Sequence, residues 1–400
     1  MREVSLPALA RRAPAEQPRY GPIALAGGLH FLNDAYGNVY PVLVPALMVS
    51  MHLRLVGAAL IITASSLSAS VLQPFAGRIA DRLPGSRLMP LSLMVCALFT
   101  GLLGYSAAPL ALLVMGVLAG VGNASFHPAA SSWVAAMAGS RKGWSMSIFI
   151  TAGNVGRALG PALMVLALGV WGARGSMPLA VPGLAVAVAL LVWRVPVGAR
   201  SAQRPAAPRI LPLLAARARD AAALLVMSGA RALVAGAVTT LVPIAYHEAG
   251  DPAYLAAILV GVLIFAGSVG NAVGGELSDR VARPWVVIGG AVGSALALAG
   301  FVNAGGVGAL VLAGLTGFFA MGTNSVTMVM GQEMFPESVG MASGLALGVG
   351  NAVGIAMVGL LSVLAGWAGV DVALYAAAAL ALLAVPAALR FAGDLRLSRG

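Results

Sequence analysis

Apolar runs of roughly twenty residues recur along almost the whole chain, separated by short polar stretches. A helix needs roughly 20 apolar residues to cross the hydrocarbon core of a membrane. The pattern therefore predicts an all-α polytopic membrane protein with twelve transmembrane helices. The predicted spans are 22–48, 56–78, 87–106, 110–137, 143–170, 176–194, 220–247, 254–277, 284–303, 307–332, 339–364 and 369–391.

The second half of the chain repeats polar landmarks of the first half at a spacing near 198 residues. Three aligned pairs in the same order predict two pseudo-symmetric six-helix bundles related as a parallel repeat. The pairs are Leu43-Val44-Pro45 with Leu241-Val242-Pro243, Gly77-x-x-x-Asp81-Arg82 with Gly275-x-x-x-Asp279-Arg280, and Gly153-Asn154 with Gly350-Asn351.

These landmarks predict the domain organisation. We expect a cytoplasmic N-terminal tail at 1–21, an N-terminal bundle at 22–194 and a cytoplasmic linker at 195–219, followed by a C-terminal bundle at 220–391 and a cytoplasmic C-terminal tail at 392–400. The linker is rich in Ala, Pro and Arg, unlike the short loops between the other spans.

Composition agrees with a membrane location, since 60% of the residues are hydrophobic and 9% are charged. Of the loops on the side opposite the termini, basic residues occur only at Arg54 and Arg174, which predicts cytoplasmic termini in a bacterial inner (cytoplasmic) membrane. The net charge of +11 is spread over loops without an aromatic-rich basic surface. We therefore expect these positive charges to contact membrane lipids and not nucleic acid.

No nucleotide-binding loop, metal-spaced His/Cys cluster or nucleophile with an adjacent base is evident in the sequence. The single cysteine, Cys96, excludes an internal disulfide and a Cys-based metal site. We therefore predict no enzymatic activity, no cofactor and no metal. Transport driven by an ion gradient fits these features better.

Several segments resemble a known family. The two Gly-x-x-x-Asp-Arg loops are similar to a motif of the major facilitator superfamily, and the resemblance covers essentially the whole chain. A narrower resemblance, to the fosmidomycin-resistance branch, implies a proton-coupled antiporter that exports small drugs and confers antibiotic resistance. It rests on His30-Phe31-Leu32-Asn33-Asp34, Phe126-His127-Pro128-Ala129-Ala130-Ser131, Arg141-Lys142-Gly143 and Gly153-Asn154-x-x-Arg157-Ala158-Leu159-Gly160-Pro161.

Ionisable side chains within the predicted spans are the candidate functional groups, since each costs roughly 2.5–3.5 kcal/mol to insert at mid-bilayer. Asp34 is the predicted proton carrier, assisted by His30 one turn earlier and by His127. The alternative is a permanent Asp34–Arg pair that neutralises two buried charges. The predicted substrate-binding residues are Asn33, Asn38, Asn123, Asn154, Arg157, Arg231 and Asn324.

The predicted gating residues lie in the repeated loops and in the Gly-x-x-x-Gly-Pro segment. A charged cluster at the cytoplasmic face can hold one conformation closed and release it when the halves rock. These residues are Gly77, Asp81, Arg82, Gly275, Asp279, Arg280, Gly156, Gly160 and Pro161.

Two functional hypotheses remain open. The leading one is a monomeric, proton-coupled antiporter that exports a small drug or metabolite by alternating access, with the substrate and protons as partners. The alternative is an importer or exchanger of a small organic or phosphorylated anion, using Arg157 and Arg231 to bind it. A membrane sensor would require a signalling domain, which the sequence does not suggest.

Overall fold

The computed structural model describes residues 17–48, 51–53, 55–81, 85–193, 210–248 and 253–393. Within these ranges every regular element is a helix, and no β-strand is present. A 3₁₀ turn at Gly172–Gly175 and a π-helical turn at Leu345–Val349 interrupt the α-helices. The all-helical class predicted from the sequence is thus confirmed for the described residues.

The α-helices are numbered in chain order. They are α1 (Tyr20–Gly37), α2 (Tyr40–Met48), α3 (Leu55–Val71), α4 (Gln73–Ala80), α5 (Gly85–Leu103), α6 (Pro109–Met137), α7 (Lys142–Trp171), α8 (Ser176–Val192), α9 (Ile210–Ala216), α10 (Ala218–Glu248), α11 (Ala253–Ser278), α12 (Arg283–Val302), α13 (Gly306–Gly322), α14 (Asn324–Met334), α15 (Val339–Gly344), α16 (Gly350–Ala368), α17 (Val370–Ala381) and α18 (Ala384–Leu389).

Eight stretches of the described helices are long and apolar enough to cross a membrane. One of them, Lys142–Val192, contains the predicted span 143–170 and most of the span 176–194, and Arg87–Leu103 is a shorter apolar helix. The predicted span 22–48 is divided between α1 and α2, and 56–78 is divided between α3 and α4. The multi-pass character is therefore supported, whereas the number twelve stays a prediction.

Proline explains one of these divisions. Helix α3 ends at Val71, and α4 begins at Gln73 with Pro74 in its first turn. Proline is tolerated there because the first backbone N–H groups of a helix have no partner within it. The division places Gln73 at a helix start that faces the second half of the chain, where it lines the central cavity described below.

Small residues bring α1 and α7 into close contact. A Cβ atom added at Gly156 would overlap the carbonyl group of Phe31, and one added at Gly160 would overlap that of Ala35. Close backbone approach through Gly-x-x-x-Gly is a common way for helices to associate in lipid. In this protein it places residue 157 directly beside the middle of α1.

Buried apolar side chains form four clusters. Two clusters are built from residues 17–193, one of them extended by Met328 and Val329, and two from residues 210–393. Most of the described packing is thus within one half of the chain or the other. Of the predicted linker and tails, residues 1–16, 195–209 and 394–400 lie outside the described residues.

Candidate functional site

A polar cavity of about 210 Å³ lies where α1, α4, α6, α7, α10, α13, α14 and α16 meet. Both halves of the chain contribute to its wall, so it lies between them. The lining residues are His30, Asp34, Gln73, His127, Ile150, Asn154, Arg157, Arg231, Ala232, Ala235, Met321, Asn324, Leu347, Asn351 and Ile355.

Asp34 is the carboxylate of this wall and is 3% exposed. Its Oδ2 atom accepts a hydrogen bond from Arg157 Nη2 at 2.8 Å. The Nε2 atoms of His30 and His127 are each 3.4 Å from one of its two oxygens. All three of these groups can carry positive charge, which stabilises a carboxylate buried within a membrane.

The two histidines are held in different ways. His30 Nδ1 is 2.7 Å from the carbonyl oxygen of Phe149, and its ring stacks on the Phe149 ring at a centroid distance of 4.0 Å. Because a carbonyl only accepts hydrogen bonds, Nδ1 carries the hydrogen and Nε2 faces Asp34. His127 Nε2 is 3.1 Å from Asn123 Oδ1, while its Nδ1 is buried without a partner among the described residues.

Arg157 and Arg231 have distinct environments. The Arg157 side chain is 55% exposed and pairs with Asp34. Arg231 instead donates from Nη2 to Asn351 Oδ1, and its buried Nε has no partner among the described residues. The question of which arginine pairs with Asp34, left open by the sequence, is answered in favour of Arg157.

The other predicted substrate-binding residues divide into two groups. Asn154 and Asn324 line the cavity. Asn33, Asn38 and Asn123 are absent from its wall. Asn33 Nδ2 is 3.3 Å from Asp34 Oδ1, Asn38 donates to the Arg157 carbonyl at 2.8 Å, and Asn123 contacts His127. Their contacts in this structure orient the charged cluster and join α1 to α7.

Gln73 and Asn351 line the cavity but were not among the residues predicted from the sequence. Asn351 was detectable, because the internal repeat aligns it with Asn154. Gln73 stands next to Pro74 at the start of a helix, a position that sequence alone does not distinguish from a loop.

Each of the two repeated aspartates accepts hydrogen bonds from the other half of the chain. Asp81 accepts hydrogen bonds from Ser338 Oγ at 2.6 Å and from the backbone N–H of Gly340 at 2.8 Å, at the start of α15. Asp279 accepts from the backbone N–H groups of Gly143 and Trp144 at 2.7 and 2.8 Å, at the start of α7. A carboxylate at a helix N-terminus satisfies free N–H groups and complements the helix dipole.

The glycines near these aspartates allow the two halves to approach closely enough for the hydrogen bonds. A Cβ atom at Gly77 would overlap the backbone of Gly340, and one at Gly275 would overlap that of Gly143. We name this side of the molecule, defined by Asp81, Asp279 and the helix starts they contact, the closed face. Arg82, also predicted to gate, lies outside the described residues.

Ion pairs reinforce the closed face around Asp279. Glu276 pairs with Arg141 across the halves and with Arg280 four residues away. Glu333 pairs with Lys142 at 3.0 Å and with Arg283 at 3.1 Å, and Arg283 is 2% exposed. The first-half position that the repeat aligns with Glu333 is Ala136, so the two contacts between the halves are not equivalent.

Potential metal-ligand atoms of His30, Asp34 and His127 lie within 4.8 Å of one another. The sequence predicted no metal, because it shows no metal-spaced His/Cys cluster and His127 is distant in the chain from His30 and Asp34. The Arg157 guanidinium already offsets the charge of the Asp34 carboxylate at Oδ2. A metal cation would add further positive charge beside this guanidinium, so the donor set suits a proton better than a metal ion.

The described helices, the polar cavity between the halves and the charged closed face are features of a membrane transporter. The chain belongs to the Major Facilitator Superfamily, because the sequence profile of that family matches residues 23–356. This family and fold are those of transporters and not of enzymes. The resemblance seen in the sequence is thereby confirmed.

Two relatives cover most of the chain. One is the uncharacterised transporter YfnC of Bacillus subtilis (strain 168), 28% identical over 385 residues, which are 92% of both chains. The other is the fosmidomycin resistance protein of Escherichia coli (strain K12), 27% identical over 349 residues, with 83% of this chain and 84% of the relative covered.

Solved structures of the Escherichia coli transporter FucP share the fold. A structure in the outward conformation has a TM-score of 0.74 at 17% identity, covering 92% of this chain and 98% of FucP. A variant of FucP, described as a fucose:proton symporter, has a TM-score of 0.71 with the same identity and coverage.

Proposed function

We propose that the protein is a secondary active transporter of a bacterial inner membrane that exports a small drug or metabolite in exchange for protons. In this proposal twelve transmembrane helices form two six-helix bundles, with the boundaries predicted from the sequence, and the monomer is the working unit. The cavity between the bundles binds the substrate and opens to each side of the membrane in turn.

The observation that carries the proposal is the position of Asp34 in the cavity wall, in contact with His30, His127 and Arg157. Protonation of Asp34 removes the charge that holds Arg157, and it frees a guanidinium that is already half exposed. A single proton thereby changes both the charge and the shape of the substrate cavity. This is the property that coupling requires.

We place the closed face at the cytoplasm. The basic residues of the chain favour this side, and the repeated loops carry the acidic residues that hold it together. The likeness to FucP in its outward conformation supports the same state for this structure. The name of the fosmidomycin resistance relative supports export over import.

Proton exchange can be tested in liposomes that contain the purified protein and an acid interior reported by a pH-sensitive dye. The first probe is fosmidomycin, after the relative, followed by other antibiotics and organic anions. We expect a probe that dissipates the gradient through the wild type but not through Asp34→Asn, because the amide cannot carry the proton. Asp371→Asn, a matched change at an exposed position outside the cavity, should behave like the wild type.

Gradient-driven transport at the wild-type rate by Asp34→Asn would refute the role of Asp34. Substrate movement without any proton movement would favour the anion importer or exchanger. The direction of accumulation in the same liposomes separates uptake from export.

A further inference from the structure

The cavity wall carries unequal numbers of positive and negative groups. Among the described residues that line it, Asp34 is a carboxylate, whereas Arg157 and Arg231 are guanidinium groups. Asp34 and Arg157 are 2.8 Å apart and offset each other. The charge of Arg231 therefore has no carboxylate to offset it among the described residues of the wall.

Arg231 is poorly satisfied in this position. It lies near the middle of α10, and its hydrogen-bond partner is the neutral amide oxygen of Asn351. Its Nε is buried without a partner, and none of the described carboxylates forms an ion pair with it. A cation at membrane depth without a counter-charge is costly, so such groups commonly mark the path of a charged ligand or ion.

Neutral hydrogen-bonding groups lie beside Arg231 in the same wall. Asn154 from the first half and Asn324 from the second half line the cavity. An amide supplies two N–H donors, which suit the oxygens of an anion held by a guanidinium. Both halves therefore contribute an amide that can contact an anion bound at Arg231.

We propose that the substrate carries one negatively charged group, a carboxylate or another singly charged oxyanion, and that Arg231 binds it. This inference rests on the proposed function in taking the cavity as the substrate site. One negative charge on the ligand offsets the one charge of Arg231. A neutral ligand leaves Arg231 without a counter-charge, and a second negative charge would find no unpaired guanidinium, because Arg157 already pairs with Asp34.

The position of Arg231 also bears on what travels with the substrate. A monoanion held by Arg231 leaves the Asp34–Arg157 pair intact, so the loaded state contains no transported proton. Export in exchange for protons requires such a state, because substrate and proton must cross in separate steps. Arg231 thus selects the charge of the substrate, and the Asp34–Arg157 pair remains available to the proton.

The proposal can be tested by the thermal stability of the purified protein in detergent at fixed pH, without any gradient. The probes are benzoate, the neutral benzamide and the doubly charged phthalate, since a ligand that binds the folded state raises its apparent stability. We expect benzoate to bind at least roughly tenfold more tightly than the other two, the scale of one lost charged hydrogen bond. Arg231→Asn should abolish that preference.

Asparagine is a suitable replacement because the repeat aligns residue 231 with Asn33. Arg231→Lys keeps the positive charge and should retain the preference for benzoate. This result would show that the charge at position 231 is what selects the anion. Arg174→Asn, a change in the 3₁₀ turn after α7, controls for anions bound at the surface and should leave the preference intact.

Equal affinity of the wild type and Arg231→Asn for benzoate would overturn the proposal, as would equal affinity of the wild type for benzoate and benzamide. This binding measurement is independent of proton exchange in liposomes. If the wild type prefers benzoate but exchanges no protons in liposomes, the proposed function alone is wrong. If it exchanges protons but shows no preference for benzoate, the anion site alone is wrong.

Discussion

The Asp34–Arg157 pair joins a nearly buried carboxylate to a half-exposed guanidinium. Asp34 is buried and contacts Arg157, His30 and His127, whereas more than half of the Arg157 side chain is exposed. Removing one member of such a pair is more harmful than removing both, because the remaining charge stays buried. Loss of Arg157 should therefore cost more free energy at Asp34 than loss of Asp34 costs at Arg157, because Arg157 can reach solvent.

Arg157→Gln is therefore expected to destabilise the protein by roughly 1–3 kcal/mol, below the roughly 3–5 kcal/mol of a fully buried pair, since Arg157 is half exposed. Asp34→Asn in the same molecule should recover most of this loss. Thermal unfolding of the wild type, both single variants and the double variant provides the interaction energy. If the double variant is no more stable than Arg157→Gln, the two side chains do not act as a pair.

At this scale the sequence predicted which residues carry charge but not how they pair. Charged residues in apolar runs are conspicuous, so Asp34, His127, Arg157 and Arg231 could be identified directly. The pairing depends on how far each helix is rotated about its axis, which apolar runs specify poorly in lipid. Asn33 was assigned to the cavity for this reason, although adjacent residues on a helix point about 100° apart.

Helix α7 connects the Asp34–Arg157 pair to the closed face. Its start is held by Asp279, its middle carries Arg157, and its glycines pack on α1. A shift of α7 relative to α1 would therefore move Arg157 away from Asp34. The Gly-x-x-x-Gly-Pro segment, predicted to gate, has this packing role in the present structure.

Gly156→Ala should destabilise the protein by roughly 1–3 kcal/mol, because the added Cβ would overlap the backbone of Phe31 and separate the two helices. Gly169→Ala, on the same helix, has open space around the added Cβ and should be neutral or stabilising by up to about 1 kcal/mol. Thermal unfolding measures both. A similar effect of the two changes would show that close packing at Gly156 is unimportant.

The boundaries of the elements were less predictable than their existence. Hydropathy detects a run that is long enough for a membrane but not a break within it, so the divisions α1/α2 and α3/α4 were not anticipated. The π-helical turn before α16 likewise could not be predicted from hydropathy. It directly precedes the segment that carries Asn351, which explains why the repeat, and not periodicity, was the better guide to that residue.

At the scale of the whole molecule, the two halves are joined at the closed face by reciprocal contacts. Each half supplies an aspartate to a helix start of the other half. The internal repeat predicted both aspartates and their equivalence. It did not predict the ion pairs that Glu276 and Glu333 form with Arg141, Lys142 and Arg283, because these side chains come from helix ends that are distant in the chain and meet only after folding.

Asp279→Asn is expected to weaken the closed face, since the amide replaces a charged acceptor of two backbone hydrogen bonds. The readout is alkylation of Ser147→Cys, a position 1% exposed in the contact between α7 and α11, in a Cys96→Ala background. We expect labelling to be at least about tenfold faster, the scale of one lost charged hydrogen bond. Asp371→Asn should leave the rate unchanged, and an unchanged rate in Asp279→Asn would contradict the role of this contact.

The cavity groups that can exchange protons, Asp34, His30 and His127, all belong to the first half of the chain, whereas the cation without a counter-charge belongs to the second. In the proposed mechanism the first half therefore supplies the groups that take up the proton, and the second half supplies the group that binds the substrate. A symmetric pair made of either half alone would lack one of these two sets of groups. The proposed exchange thus requires the two repeats to differ at these positions, although they share the same helical framework.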